Sequence, residues 1–426
     1  MTRGQPVDGG PGGPGGAGRP ALPEHVVDRL DASLQQDDAL RTARYPGNGT
    51  GRQPVHTVYV PADRFTARTV AEWGAAARAA LDRNGPLPGT GLDVVAGLVL
   101  DKLAREPIED LRIDLEDGYG RRPDDVEDAD ASAAAAALAE AVRGGVGPPF
   151  CGIRVRSFEA PTRRRSVRTL DLFLGTLLAS APLPAGFRVT LPKVSSVAQV
   201  AAMAELCDAL ESAYRLAAGA LRYEIQVEVP QAILGADGSA LVARMLDATA
   251  GRCAGLHYGT YDYTAALGIA APYQSMEHPS ADHAKSVMQL AAAGTAIPVS
   301  DGSTNLLPVG DTAAVQAAWA LHARLVRRSL ERGFYQGWDL HPAQLPTRFA
   351  ATFCFFRESL AVVAPRLRAY VEREQTGTAD EPATAQALAG YLRRGVDAGA
   401  VTAGEVLALT GLHMDAIERF AARPPG

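Results

Sequence analysis

From residue 55 onward the chain alternates short runs of β-branched and aromatic residues with long Ala-rich runs, eight times over. The strand candidates are residues 56–62 (HTVYVPA), 111–117 (LRIDLED), 152–158 (GIRVRSF), 187–193 (FRVTLPK), 223–229 (YEIQVEV), 253–259 (CAGLHYG), 296–301 (AIPVSD) and 338–342 (WDLHP). Helix candidates lie between them at 66–82, 127–143, 163–179, 196–217, 238–250, 281–293 and 312–332. Strand–helix alternation predicts a parallel sheet covered by helices. Eight such units predict an α/β fold closed as a (β/α)8 TIM barrel, with an open doubly wound sheet as the alternative.

Segments outside the alternation have a different composition. The first twenty residues hold eight Gly and four Pro, so residues 1–23 are expected to be a disordered tail. Residues 24–54 read as a helix, with Val26, Leu30 and Leu34 on one side, followed by a Gly/Pro/Asn loop. The barrel is assigned to residues 55–345. Residues 346–426 form a helical C-terminal appendage, read as a lid or an oligomer contact, with helices expected at 384–398, 402–410 and 412–422 after a polar segment at 375–383.

Charge and cysteine content narrow the partners. Lys and Arg number 42 against 48 Asp and Glu, a net charge of −6, which argues against a nucleic-acid surface. Cys151, Cys207, Cys253 and Cys354 are far apart and form no CxxC pair, so neither a zinc ribbon nor a disulfide scaffold is expected. The most apolar stretch, Leu172 to Phe187, is broken by Ser180, Pro182 and Pro184, and the N-terminus lacks the apolar core of a signal peptide. A cytoplasmic protein with no membrane partner is expected.

In a barrel of this kind the chemistry sits at the C-terminal strand ends. The second strand ends in Asp114, Glu116 and Asp117, with Arg112, Asp114 and Glu116 on the face opposite Leu111, Ile113 and Leu115. Such crowded acidic groups need a cation, unless the segment is only a solvated turn. The third strand carries Arg154 and Arg156 among β-branched residues, where a guanidinium fork can bind a carboxylate or an enolate oxygen. A structural ion pair to the preceding carboxylates is the other reading. Lys193 ends the fourth strand, and acidic neighbours should raise its pKa, which favours an electrostatic or structural role over a Schiff base.

Glu228 ends the fifth strand and Asp262 follows the sixth, about one strand–helix unit apart. Two carboxylates with positions open to water and substrate suit Mg²⁺, although both can also be turn or ion-pair residues. His257 stands alone beside them, so no zinc site is expected. Asp301 reads as a ligand-facing carboxylate or a turn initiator, and His341 as a proton carrier or a structural residue. The cluster of Arg163, Arg164, Arg165 and Arg168 reads as a phosphate-tail site or a solvated helix start.

The strings DLEDGYG (114–120), IRVRS (153–157), LPKV (191–194), IQVEVPQAI (225–233), HYGTYDYTAALG (257–268) and GWDLHP (337–342) occur in one order, each at a strand end. Together they resemble the citrate lyase beta-subunit-like branch of the HpcH/HpaI aldolase family, within the phosphoenolpyruvate/pyruvate barrel superfamily. The resemblance implies a Mg²⁺-dependent carbon–carbon lyase or aldolase working through the enolate of a 2-oxo acid or an acyl-CoA. It implies Glu228 and Asp262 as metal ligands and Arg154 as the residue that polarises the substrate. Asp114, Glu116 and Asp117 would line the site, with Glu116 and Asp117 serving catalysis. Arg154, Arg156, Lys193 and Asp114 are expected to contact the substrate, and Arg156 stands where the family usually has Asn, so those contacts are expected to differ from the family's. A homotrimer or hexamer is also implied. The alternative is a phosphotransferase using phosphoenolpyruvate on the same barrel, although no nucleotide-binding Gly-rich motif is visible. A non-catalytic scaffold would not need the paired carboxylates.

Overall fold

The computed structural model describes residues 22–49, 51–89, 91, 94–372 and 381–422. All of the expected tail except Leu22 and Pro23, and most of the polar segment at 375–383, lie outside the described residues. The chain divides into two compact units after Tyr45. The first contains helix α1 (Glu24–Arg44), with Glu24 in its first turn and Arg41 and Arg44 in its last, a charge order that complements the helix dipole. None of its residues is buried.

The second unit runs β1 (His56–Pro61), α2 (Thr69–Asn84), α3 (Ala96–Arg105), β2 (Asp110–Asp114), α4 (Asp124–Arg143), β3 (Phe150–Arg154), α5 (Arg163–Leu178), β4 (Phe187–Leu191) and α6 (Val197–Tyr214). It continues with β5 (Arg222–Val227), α7 (Pro230–Ile233), α8 (Leu241–Asp247), β6 (Cys253–Tyr258), α9 (Thr260–Ala266), α10 (Pro279–Ala292), β7 (Val299–Ser300), α11 (Thr312–Glu331) and β8 (Gly337–Asp339). All neighbouring strands pair in parallel, in the order β7-β6-β5-β4-β3-β2-β1-β8. A parallel bridge between Ser300 and Gln336, flanked by the Asp301 N–H donating to the Gln336 carbonyl, joins the two ends. The architecture is the eight-stranded barrel that the alternation predicts.

The strands alternate between a polar face turned to the barrel interior and an apolar face turned to the helices. Arg112 on β2 donates to Thr190 on β4 and to Glu224 on β5, strands that do not neighbour β2, so these side chains cross the interior. Thr57, Asp110 and Gln336 join the same buried polar layer. By the pleat, Val58, Leu111, Ile113, Ile153, Val189, Ile225 and Leu256 point outward, where they are buried against the helices. On α5, Leu170, Phe173, Leu174 and Leu177 form the matching buried stripe.

Several strands are shorter than their sequence pattern. β2 stops at Asp114 because that carboxylate accepts the N–H groups of Glu116 and Gly118 and turns the chain. β3 ends at Arg154, so Arg156 lies beyond the ladder. β7 is reduced to two residues, preceded by Pro298, which has no ladder donor, and by Ala296 at φ 63°. The segment holding Asp262 is the first turn of α9 rather than a strand end.

After β8 come α12 (Leu345–Glu358), α13 (Leu360–Glu372), α14 (Pro382–Asp397), α15 (Ala403–Thr410) and α16 (Met414–Ala422). Helix α12 packs against α11 and α3 and is buried along most of its length, in the place of the eighth outer helix. A Thr402–Glu405 capping box starts α15. Among the described residues no helix is long and apolar enough to cross a membrane.

Candidate active site

Five consecutive strand ends, β2 to β6, bring charged groups to the C-terminal mouth of the barrel. Asp114 and Arg154 are register partners on β2 and β3. Their side chains form a bidentate pair, Nε to Oδ1 and Nη2 to Oδ2, both at 2.7 Å. The Arg154 Nη1 is not engaged by Asp114 and lies 3.5 Å from Glu116 Oε2. The Arg154 guanidinium also stacks 4.6 Å from the Tyr59 ring centroid.

Lys193 ties the acidic groups together. Its Nζ lies 2.6 Å from Glu116 Oε1, 2.7 Å from Asp117 Oδ2 and 3.0 Å from Asp262 Oδ2. Its backbone N–H donates to Glu228 Oε1 at 2.8 Å. The residue has φ 52°, a left-handed conformation that costs a non-glycine residue on the order of 1 kcal/mol. Glu228 is 2% exposed, and its other oxygen accepts from the Gln226 amide.

These neighbours set the protonation equilibria. Burial pushes the Glu228 carboxyl up to about 8; Lys193 opposes this and Asp262 adds to it. Burial also raises Glu116, with Arg154 and Lys193 opposing and Asp117 contributing. Asp117 moves down despite its burial, through hydrogen bonds with Glu116 and Lys193. Burial lowers Lys193, but Glu228 and Glu116 overcome it and hold the ammonium charged. Five acidic side chains (Asp114, Glu116, Asp117, Glu228, Asp262) thus face two cations, Arg154 and Lys193, and the raised Glu228 and Glu116 carboxyls mark a site short of positive charge.

A hard divalent cation would fit this shortage, because it favours the ionised form of the raised carboxyls. Glu228 and Asp262 could supply oxygen donors to such an ion, since each Glu228 oxygen keeps a lone pair beyond its single hydrogen bond. Gly259 packs directly against this carboxylate, since a Cβ there would lie 2.5 Å from Glu228 Oε2. Among the described residues no group of three or more His, Cys, Asp or Glu is arranged to hold a metal ion. Two carboxylates at one mouth could hold an ion such as Mg²⁺, which keeps water or substrate on its remaining positions.

Other sequence candidates lie elsewhere. Arg156 turns away from the cluster: its Nε and Nη2 reach Glu127 Oε2 at 2.9 and 2.6 Å, and Nη2 also reaches the Gly120 carbonyl. Arg165 and Arg168 pair with Asp128, and Arg163 donates to the Phe158 carbonyl. Asp301 is buried against Lys285 and Ser329. His341 caps a short 3-10 turn through Nδ1, which accepts the Ala343 N–H. His257 sits inside the barrel, 3.4 Å from Glu224.

Tyr59, Gln226 and Gly259 were not singled out by the sequence for this mouth. Tyr59 follows Thr57 on the inward face of β1, and Gln226 lies between Glu224 and Glu228 on that of β5. Period-two spacing therefore marked their direction, though not their contacts. Nothing local marked Gly259.

A family model described as Domain of unknown function (DUF6986) matches residues 34–424. No curated protein matches the chain. Among solved structures the chain is similar to the protein CitE from Mycobacterium tuberculosis in complex with magnesium, acetoacetate and coenzyme A. That match has 20% identity and a TM-score of 0.49, and covers 82% of this chain and 99% of the other. A malate synthase from Haloferax volcanii, in a magnesium/glyoxylate complex, is 15% identical with a TM-score of 0.46, covering 87% and 98%. An HpcH/HpaI aldolase/citrate lyase family protein from Burkholderia cenocepacia is 16% identical with a TM-score of 0.37, covering 73% and 93%.

Proposed function

The chain belongs to the DUF6986 family, and we propose that it is a Mg²⁺-dependent carbon–carbon lyase or aldolase acting on a 2-oxo acid or an acyl-CoA through an enolate. The observation that carries this reading is the convergence of five carboxylates, Arg154 and Lys193 from five successive strand ends on one mouth. The order of the six strand-end strings, which resembles the HpcH/HpaI pattern, supports it.

Glu228 and Asp262 would hold the ion, which supplies Lewis-acid stabilisation of negative charge on the substrate oxygen. Arg154 offers its Nη1 to the same developing charge, and the bidentate pair with Asp114 orients that guanidinium in advance. An oriented donor of this type is worth about 3–4 kcal/mol in the transition state. Glu116 is the group suited to take up and return a proton, because burial raises its carboxyl and Lys193 Nζ contacts Oε1. Asp117 stays ionised and helps Lys193 hold the loop.

Calorimetric titration of Mg²⁺ into chelator-stripped protein tests the reading, with and without pyruvate, oxaloacetate and acetyl-CoA. Mg²⁺ should bind, and one of these ligands should tighten it. Glu228→Gln and Asp262→Asn should each weaken the binding at least about tenfold. Unchanged Mg²⁺ affinity in both variants would overturn the assignment.

A further inference from the structure

The opposite, N-terminal mouth of the barrel contains a cavity of about 640 Å³. Arg188 and Arg222 enter it from register-matched positions on β4 and β5. Like charges at matched positions on adjacent strands repel each other. Arg393 and Arg394 on α14 line the same cavity, and so does Arg52 ahead of β1. Arg52 pairs with Glu106 and Glu109. For Arg188, Arg222, Arg393 and Arg394 no carboxylate lies within ion-pair distance among the described residues. The two acidic residues in the wall, Asp110 and Glu224, are already held by Arg112.

The donors here are also incompletely used. Arg393 is 6% exposed, yet its Nε and Nη1 have no hydrogen-bond partner. The Nε atoms of Arg222 and Arg52 are likewise buried and unpartnered. Buried polar groups in folded proteins are nearly always satisfied, so such a set marks a place where an acceptor belongs. Burial lowers the Arg393 guanidinium, and Arg394 lowers it further, while Asp397 and Glu418 offset this in part. Phe150, Ile297 and Tyr335 supply an apolar wall. The volume lies within the roughly 300–1,000 Å³ of small-molecule sites.

We propose that this cavity is a second ligand site, which binds a small organic phosphate of two or more negative charges between the β4–β5 arginines and α14. Guanidinium forks match phosphate oxygens in bidentate geometry, and the apolar wall accommodates an organic body. The site draws on the C-terminal helices, so its ligand would fasten α14 to the barrel floor. The buried Arg112 layer separates it from the C-terminal mouth, and the inference does not depend on the proposed lyase activity.

The test is calorimetric titration with pyrophosphate in chelator-containing buffer of about 50 mM salt, where screening is modest. Wild-type protein should bind, with a rise in Tm. The Arg188→Gln/Arg222→Gln double variant should bind at least about tenfold more weakly, a loss of about 1.4 kcal/mol or more. Arg394→Gln, at a half-buried position, should weaken binding several-fold with its ligand-free Tm unchanged; it decides the matter if the double variant fails to fold. Glu228→Gln should bind like wild type. The proposal is overturned by absence of pyrophosphate binding, by equal affinity in the arginine variants, by loss of binding in Glu228→Gln, or by tighter binding of citrate than of pyrophosphate.

Discussion

Lys193 and Glu228 are joined through the backbone: the Lys193 N–H donates to Glu228 Oε1 at 2.8 Å, from a residue held at φ 52°. That conformation turns the Lys193 side chain toward Glu116, Asp117 and Asp262, while its amide fixes the buried carboxylate. One residue thus organises acidic groups from three loops.

Replacing this ammonium exposes its balance with a metal. Lys193→Met should destabilise the protein by about 2–3 kcal/mol, because Glu116 would lose its closest cation. Mg²⁺ should then raise the Tm of the variant more than that of wild type, since an added cation would relieve the same carboxylates. Equal Tm shifts in thermal unfolding would show that ion and ammonium do not share them.

Asp114→Asn keeps the shape and removes the charge opposite Arg154. A buried guanidinium left without its carboxylate should cost about 3 kcal/mol in urea unfolding. Turnover should fall by about 100-fold as Arg154 loses its orientation. A loss of stability with turnover intact would separate Arg154 from the chemistry.

Glu116→Gln should lower kcat by about 100-fold or more and leave Mg²⁺ affinity within a few-fold of wild type. Steady-state kinetics beside metal calorimetry would check this, and an unchanged kcat would remove Glu116 from proton transfer.

Acid stability should depend on an ion pair beside the starts of β5 and β6. Arg252 holds the Glu211 carboxyl at about 2, below its ordinary 4.5; burial opposes this, and the N–H groups of Leu221 and Gly219 reinforce it. Between these values the unfolded chain binds the extra proton. The contribution is therefore complete above about pH 4.5 and is lost as pH falls through about 2. Its size is up to about 3 kcal/mol at pH 7. Urea unfolding of Glu211→Gln should show that deficit at pH 7 and a much smaller one near pH 2.

Gly152→Ala should prevent stable folding or cost more than about 3 kcal/mol. Its Cβ would fall 1.7 Å from the Arg188 carbonyl oxygen, a backbone atom that cannot move aside. Circular dichroism and thermal unfolding of the variant would decide.

The strand–helix alternation pointed to a parallel sheet covered by helices, its eight units favouring a closed barrel over an open sheet, and side-chain direction in each strand is a local property with period two. The same period set Arg112, Asp114 and Glu224 apart from Leu111, Ile113 and Ile225 before any contact was known. It also placed Arg154 and Arg156 on the same face, and there its authority ended. Whether both reach the mouth depends on where the ladder stops. It stops at Arg154, and the chain then carries Arg156 to Glu127 on α4.

Residues distant in sequence were beyond such reading. Arg393 lies some two hundred positions from Arg188, and no local signal links them, yet both line the N-terminal cavity. Gly259 resembled any turn glycine until its Cα lay against Glu228. The sequence by itself determined the repeating units, the polar lining of the barrel and the acidic strand ends, since each follows from residues a few positions apart. The tertiary structure decided which charges meet, because that depends on strand termination, the closure between β7 and β8 and the packing of distant helices.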